Sequence, residues 1–323
     1  MLKLNKLGGL LAGAILCIGA AAHAAYPEKP IHLIVPFPPG GGTDATARLI
    51  AGEIGPMFGQ TIVIENRAGA GGSIGAQAVA DAAPDGYTLF FTTTGALVIN
   101  PHLYKNLRYD PIKDFKPIAP VGSSANVLVV HPGVKADTVE ELISLAKQQP
   151  GKLTYGSSGI GSSSHLAGVL LESLTGTKLT HVPYKGSAPA VTDLVGGRID
   201  MMIDNIPSHV EFAKAGKVRP LGVSGLTTSP LFPGVPTIAQ AGVPGYDITI
   251  WYGILAPAGT PDEVVKKVGD AIRQVVATPE MKEKLEKIGS DPMVQTPEEF
   301  AAFIGKENKK WADIVEKSGA AKE

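Results

Sequence analysis

Residues 31–44 read Ile31-His32-Leu33-Ile34-Val35-Pro36-Phe37-Pro38-Pro39-Gly40-Gly41-Gly42-Thr43-Asp44. A short β-prone run passes through a proline- and glycine-rich turn into helical spacing, which is the strand–loop–helix unit of a parallel α/β sheet. The unit recurs. Strands are predicted at 31–35, 61–65 and 87–91, with helices opening near Thr43 and Gly72. A second set places strands at 126–130, 153–155, 179–182, 200–203 and 219–223, with helices at about 138–147, 163–174, 188–196 and 207–215. A strand at 248–255 and helices at about 261–277, 279–288 and 297–317 follow. The proline-punctuated stretches 101–118 and 225–246 fit crossings between two lobes. The expected fold is α/β with two lobes, residues 26–124 plus 247–323 forming lobe 1 and 125–246 lobe 2. Each is a mainly parallel sheet flanked by helices.

The chain has 323 residues, enough to bury a core without staples. Its 29 basic and 30 acidic residues leave no basic surface of the kind nucleic acids need. Residues 1–25 have the pattern of a secretory leader: Lys3 and Lys6, the apolar run 7–20, and Ala22-His23-Ala24 as a cleavage site. The apolar run of about 14 residues is shorter than the roughly 20 a membrane span requires. The single cysteine, Cys17, falls in this segment, so the mature chain has no thiol, disulfide or cysteine metal site. Without the leader, 27 basic residues face 30 acidic ones, a net charge of −3.

Ligands of open α/β sheets sit at the carboxyl ends of strands, on loops entering helices, and here those loops collect the 39 glycines. Gly40-Gly41-Gly42 leads into a helix N-terminus, which favours an anion. A turn capped by Thr43 or Asp44 is the alternative. Asn66–Ser73 and Thr92-Thr93-Thr94-Gly95 follow the next two strands. Residues 156–165 hold five serines, three glycines and His165, a set of donors suited to an oxyanion without a fixed ion pair. Tyr184 can close over an organic ligand and Lys185 can help hold a carboxylate. Asp204 ends a strand where it can meet a hydroxyl, an amine or water, or cap the next helix.

Enzyme motifs are weak. Gly71-Gly72-Ser73-Ile74-Gly75 matches G-x-S-x-G, but Ser73 lies some eight residues beyond its strand, whereas a nucleophile elbow needs it on the turn directly after. Dinucleotide and P-loop fingerprints are missing. His102, His131, His165, His181 and His209 are not at metal-ligand spacing. No cofactor and no metal are expected.

Six stretches together resemble one family: YPEKPIHLIVPFPPGGGTD (26–44), IENRAGAGGSIGA (64–76), PDGYTL (84–89), TYGSSGIGSSSHLAG (154–168), HVPYKGSAPA (181–190) and APAGTP (256–261). The chain resembles the Bug (Bordetella uptake gene) family, periplasmic solute-binding receptors of tripartite tricarboxylate transporters. The resemblance implies a two-lobed type II periplasmic binding protein, a monomer, that closes on a small carboxylate and delivers it to membrane permease subunits. It implies contacts from Phe37, Gly41, Gly42, Thr43 and Asp44, with Ala70, Thr93, Thr94 and Gly95 nearby. Ser157, Ser158, Ser162, Ser163 and His165 would grip a carboxylate, and Tyr184 and Asp204 would line the remaining side. Hinges are expected at about 122–126 and 225–247. A secreted hydrolase using Ser73 and a receptor docking on a sensor-kinase ectodomain are the alternatives. N-terminal sequencing of the exported protein should begin at Ala25 or Tyr26; a sequence starting at Met1 would rule out processing.

Overall fold

The computed structural model describes residues 26–318, so the leader and its cleavage site lie outside the described residues. The chain runs β1 Ile31–Val35, α1 Gly42–Phe58, β2 Ile62–Asn66, α2 Ser73–Ala80, β3 Thr88–Thr93, α3 Asn100–Leu103 and β4 Phe115–Val130. It continues through α4 Val139–Gln148, β5 Thr154–Ser157, α5 Ser163–Thr175, β6 Thr180–Pro183, α6 Ser187–Val195, β7 Met201–Asn205, α7 Val210–Lys214 and β8 Arg219–Val223. The last elements are β9 Thr249–Pro257, α8 Asp262–Val276, α9 Pro279–Lys287, β10 Asp291–Pro292 and α10 Pro297–Ser318.

The sheet is mixed, in the order β2-β1-β3-β9-β4-β7-β5-β6, with β8 and β10 also pairing β4. Parallel pairs, β1 with β2 and β3 and β5 with β6 and β7, occupy the two flanks. Each needs a crossover helix, which α1, α2, α5 and α6 help to supply. In the middle, β4 and β9 run antiparallel to their neighbours. All five residues of β7 are buried, as are the last five of β4, so these strands have core on both faces.

Strand β4 joins the two halves. Phe115–Ala125 pairs with β9, and from Asn126 onward the strand pairs with β7 and β8. The change of partners thus falls within one continuous strand and not in the segment 101–118, whose ends form part of α3 and the start of β4. Pro117 and Pro120 obscure this strand in the sequence. Proline donates no ladder hydrogen bond, and the register with β9 shifts at each of them, between Pro117 and Ala119 and between Pro120 and Gly122.

Ser224, fully buried just after β8, ties this junction to the returning chain. Its N–H donates to the carbonyl of Asn126 at 2.8 Å, and its carbonyl accepts from Ile248 N–H at 2.9 Å. Its Oγ accepts from Asn126 N–H at 2.7 Å and donates to the Ile248 carbonyl. Helix α10 covers the same region, burying Phe300, Ile304 and Trp311. There Glu307 accepts from the indole N–H of both Trp251 and Trp311 at 3.2 Å. Removing the Ser224 hydroxyl strands a buried N–H and a buried carbonyl at a cost of about 1–3 kcal/mol. Ser224→Ala should therefore lower Tm by roughly 2–10 °C in a thermal melt; an unchanged Tm would show that the serine does not hold the junction.

Candidate functional site

Three helices begin at one cavity. Gly41, Gly42 and Thr43 are the N-cap and first residues of α1, Ser163 opens α5, and Ser187 opens α6. Phe37 and Pro38 from the loop after β1, Thr93 at the end of β3, and Ser158 after β5 complete that side. Asp204 and Asn205 at the end of β7 and Ile250 of β9 also line the cavity. The empty space, its mouth included, is about 430 Å³, so the cleft is narrow. Each helix N-terminus offers unpaired N–H groups and about half a positive charge, and no lysine or arginine lines the space.

Eight expected residues meet here: Phe37, Gly41, Gly42, Thr43, Thr93, Ser158, Ser163 and Asp204. The other eight have different neighbours. Asp44 turns back into its own loop, its Oδ2 accepting from Gly40 N–H at 3.1 Å and Arg48 Nε at 2.9 Å, its Oδ1 from Asn66 Nδ2 at 2.9 Å. Burial raises its pKa, but these hydrogen bonds outweigh burial and hold the carboxyl below its usual range. Asn66 also donates to the Phe37 carbonyl at 2.8 Å, so Asp44 and Asn66 together fix the glycine loop. The α1 N-cap is Gly41, with no side-chain cap, while the turn before it is closed by Asp44 from within the helix, as the turn alternative expected. Thr94 accepts from Trp251 N–H at 3.0 Å.

In the serine loop the division of labour is internal. Ser162 caps α5 by accepting from His165 N–H at 3.2 Å, and donates to the Gly159 carbonyl at 2.6 Å. Ser157 Oγ meets His181 Nε2 at 2.6 Å and accepts from Gly159 N–H at 3.2 Å. Ser164 accepts from Ser158 N–H at 2.9 Å. His165 stacks on His181 with centroids 4.4 Å apart, and Tyr155 stacks on the other face of His181 at 4.8 Å. Tyr184 donates to Asp193 at 2.8 Å, and burial pushes its phenol up to about 12. Lys185 is exposed.

Ala70 and Gly95 belong to the rim. Ala70, with φ 47°, lines a second hollow beside Ser73, Ile74 and Tyr104. Gly95 sits where a Cβ would press on the carbonyls of Gly161 and Gly71 at 3.2 and 3.3 Å. Gly71, Gly161 and Gly186 are tighter still, since a Cβ at each would collide with Ile160, Asn100 and Pro38 respectively. At Gly42 it would meet Asn205 Nδ2 at 2.8 Å. These glycines make room for the facing segment of the chain. Across the same seam Tyr104 Oη donates to the Ile160 carbonyl at 2.9 Å and Gly42 N–H to Ser208 Oγ at 3.3 Å.

Sequence reasoning missed Pro38, Ser187, Asn205 and Ile250. Ser187 follows the same strand–loop–helix signal as Ser163 and was legible, whereas Ile250, an apolar residue inside a strand, gave no signal. Ser73 opens α2, and its hydroxyl accepts from Asn100 Nδ2 at 2.8 Å; among the described residues no histidine hydrogen-bonds to it.

A two-lobed α/β chain with a narrow polar cleft at the carboxyl ends of its strands has the architecture of a solute-binding protein. The sequence matches the tripartite tricarboxylate transporter family receptor over residues 46–320. It is also similar to three solved proteins along nearly its whole length. Rpa4515 of R. palustris, solved with adipate, is 38% identical with a TM-score of 0.90, covering 92% of this chain and 100% of that one. The periplasmic binding protein BugD is 35% identical with a TM-score of 0.88, covering 92% and 100%. MatC of Rhodopseudomonas palustris, solved with bound malate, is 33% identical with a TM-score of 0.86, covering 90% and 100%. The chain belongs to the tripartite tricarboxylate transporter receptor family, the Bug family, and is a solute-binding receptor.

Burial pushes His165 and His181 down to about 4, with the charge of His181 adding to the effect on His165. Unfolded, each would titrate near its ordinary value of about 6.5. Between these limits the unfolded chain binds more protons, so the histidines' contribution to stability is present above pH ~6.5 and is lost as pH falls towards 4. Neighbouring Glu172, its pKa raised by burial, acts in the opposite sense, so the comparison is between variants. Tm of the wild type should drop by several degrees between pH 7.5 and 4.5, and His181→Gln should narrow that drop. An identical drop in the variant would mean the histidines do not set it.

Proposed function

We propose that the protein captures a small carboxylate in the periplasm, after leader removal near Ala24 or Ala25, and delivers it as a monomer to the permease of a tripartite tricarboxylate transporter. The observation that supports this most is the convergence of the N-termini of α1, α5 and α6 on a cavity lined by hydroxyls and no cationic side chain. Backbone N–H groups from several directions, in a narrow low-dielectric space, replace the water shell of a carboxylate. The adipate of Rpa4515 and the malate of MatC agree with this chemistry.

In this reading residues 26–124 with 247–323 move against 125–246, bending at about 122–126 and 225–247. The closed arrangement is selected by a ligand that touches both sides. Phe37, Gly41–Thr43 and Thr93 hold it from the first lobe, Ser158, Ser163 and Ser187 from the second. Asp44, Ser157, Ser162, His165 and Tyr184 act behind them by fixing the loops.

A thermal-shift screen of aliphatic, hydroxylated, aminated and aromatic carboxylates tests the reading. A ligand present at about 100 Kd should stabilise the protein by roughly 2.7 kcal/mol and raise Tm by several degrees. Gly42 has ordinary helical geometry, but a side chain there meets buried Asn205 across the cleft. Gly42→Leu should therefore weaken binding at least ~10-fold, read by titration at a temperature where the variant's own melt shows it folded. A library in which no carboxylate moves Tm would overturn the proposal.

A further inference from the structure

Helix α2 buries Gly75, Ala76 and Val79 and turns Ile74 and Gln77, three residues apart, away from the core. Ile74 lies over Gly69, where a Cβ would collide with its Cδ1, yet it is still 52% exposed. It lines a hollow whose other walls include Tyr104, Leu107 and Arg108 from the segment after α3, with about 730 Å³ of empty space, mouth included. Arg108 is the one charged side chain lining this space among the described residues. Arg108 and Lys105 are exposed, and among the described residues neither has an ion-pair partner. Asp81, one turn on in α2, already takes the Gln77 amide at 2.8 Å. The hollow is therefore apolar at its centre and basic at its edge.

The hollow also borders the seam. Ala70 lines it, a Cβ at the neighbouring Gly71 would collide with the Ile160 carbonyl, and Tyr104 Oη donates to that same carbonyl at 2.9 Å. One wall is thus held by the loop that precedes α5, and parting the seam removes its support.

We propose that this hollow is the surface through which the permease reads the closed receptor: an apolar side chain of the membrane protein seats against Ile74, Leu107 and Tyr104, and a carboxylate beside it pairs with Arg108 or Lys105. This rests on the delivery reading above and names its surface. An apolar anchor point inside a charged rim is the anatomy of a docking site, and the unpaired cations of the rim set the sign of charge the partner must carry. A second copy of this chain fits less well, because an isologous contact centred here brings two basic rims together. The closed form is favoured because Tyr104 gives up Ile160 when the seam parts, and the partner matches only the supported wall.

The test uses the purified, ligand-stripped mature protein and right-side-out membrane vesicles carrying the permease. The solute is the radiolabelled carboxylate that gives the largest Tm shift in the screen. Ile74→Asp and Arg108→Glu should each leave the carboxylate Kd within about 3-fold and lower receptor-dependent uptake at least ~10-fold at limiting receptor. Leu226→Asp, at a 71% exposed leucine that does not line the hollow, should leave uptake within about 3-fold. A photo-cross-linking residue in place of exposed Asn106 should join the receptor to a permease subunit, at least ~3-fold more with the carboxylate than without it. Unchanged uptake in both hollow variants, an equal loss in Leu226→Asp, an adduct indifferent to the carboxylate, or an adduct only between two copies of the receptor overturns the inference and leaves capture and delivery intact. A loss of carboxylate affinity that matches the loss of uptake places the defect in the cleft and also overturns it. Wild-type protein that binds the carboxylate yet supports no uptake overturns the delivery reading and this inference together. The cross-link decides the matter even where a variant does not fold.

Discussion

A cleft lined by no lysine or arginine, on which three helix N-termini converge, depends on how those helices are aimed, and much of this structure serves that constraint. Helix α1 is aimed by the loop after β1, which Asp44 and Asn66 hold through Gly40, Arg48 and the Phe37 carbonyl. Helix α5 is aimed by its Ser162 cap and by the Ser158–Ser164 link. Many polar residues of these loops are supports that keep the helix N-termini in place. Such support is needed because a misplaced donor in a low-dielectric space loses most of its value.

The second requirement is approach. The rims meet at Gly71, Gly95, Gly161 and Gly186, where a single Cβ would press on or collide with the facing segment. Behind the rims, β4 changes partners at Ala125–Asn126, and Ser224 binds that point to Ile248 of the returning chain. The point where β4 changes partners is thus hydrogen-bonded, through Ser224, to the returning chain. This links the packing of a buried serine to the geometry of a cleft built from other elements.

Much of this was legible in the sequence. Strand β1, the start of α5 at Ser163, strand β8 and the C-terminal helices fall within a residue or two of expectation, because alternation, caps and glycine stops are local signals. The extent of β4 was not, since Pro117 and Pro120 argue locally against a strand and are tolerated only because its register with β9 shifts beside them. The site was legible as loops and only half legible as residues. Sequence places Asp44, Ser157 and His165 on the right loops but does not say which way each side chain faces. That is settled by partners far along the chain, Asn66 for Asp44 and His181 for Ser157.

Under the proposed function, holding a carboxylate by dipoles also bears on its release. A guanidinium on its flexible stem can follow an anion as the lobes part, although water weakens the pair. The field of a helix N-terminus is short-ranged and is screened once water enters. Parting the lobes would remove the donors of α1 from those of α5 and α6 in one motion and raise the dielectric around each. Under the proposed function affinity would thereby be tied to closure, and a partner that prised the lobes apart would lower it steeply without touching the ligand. A cleft lined by no arginine or lysine would then serve delivery as much as capture.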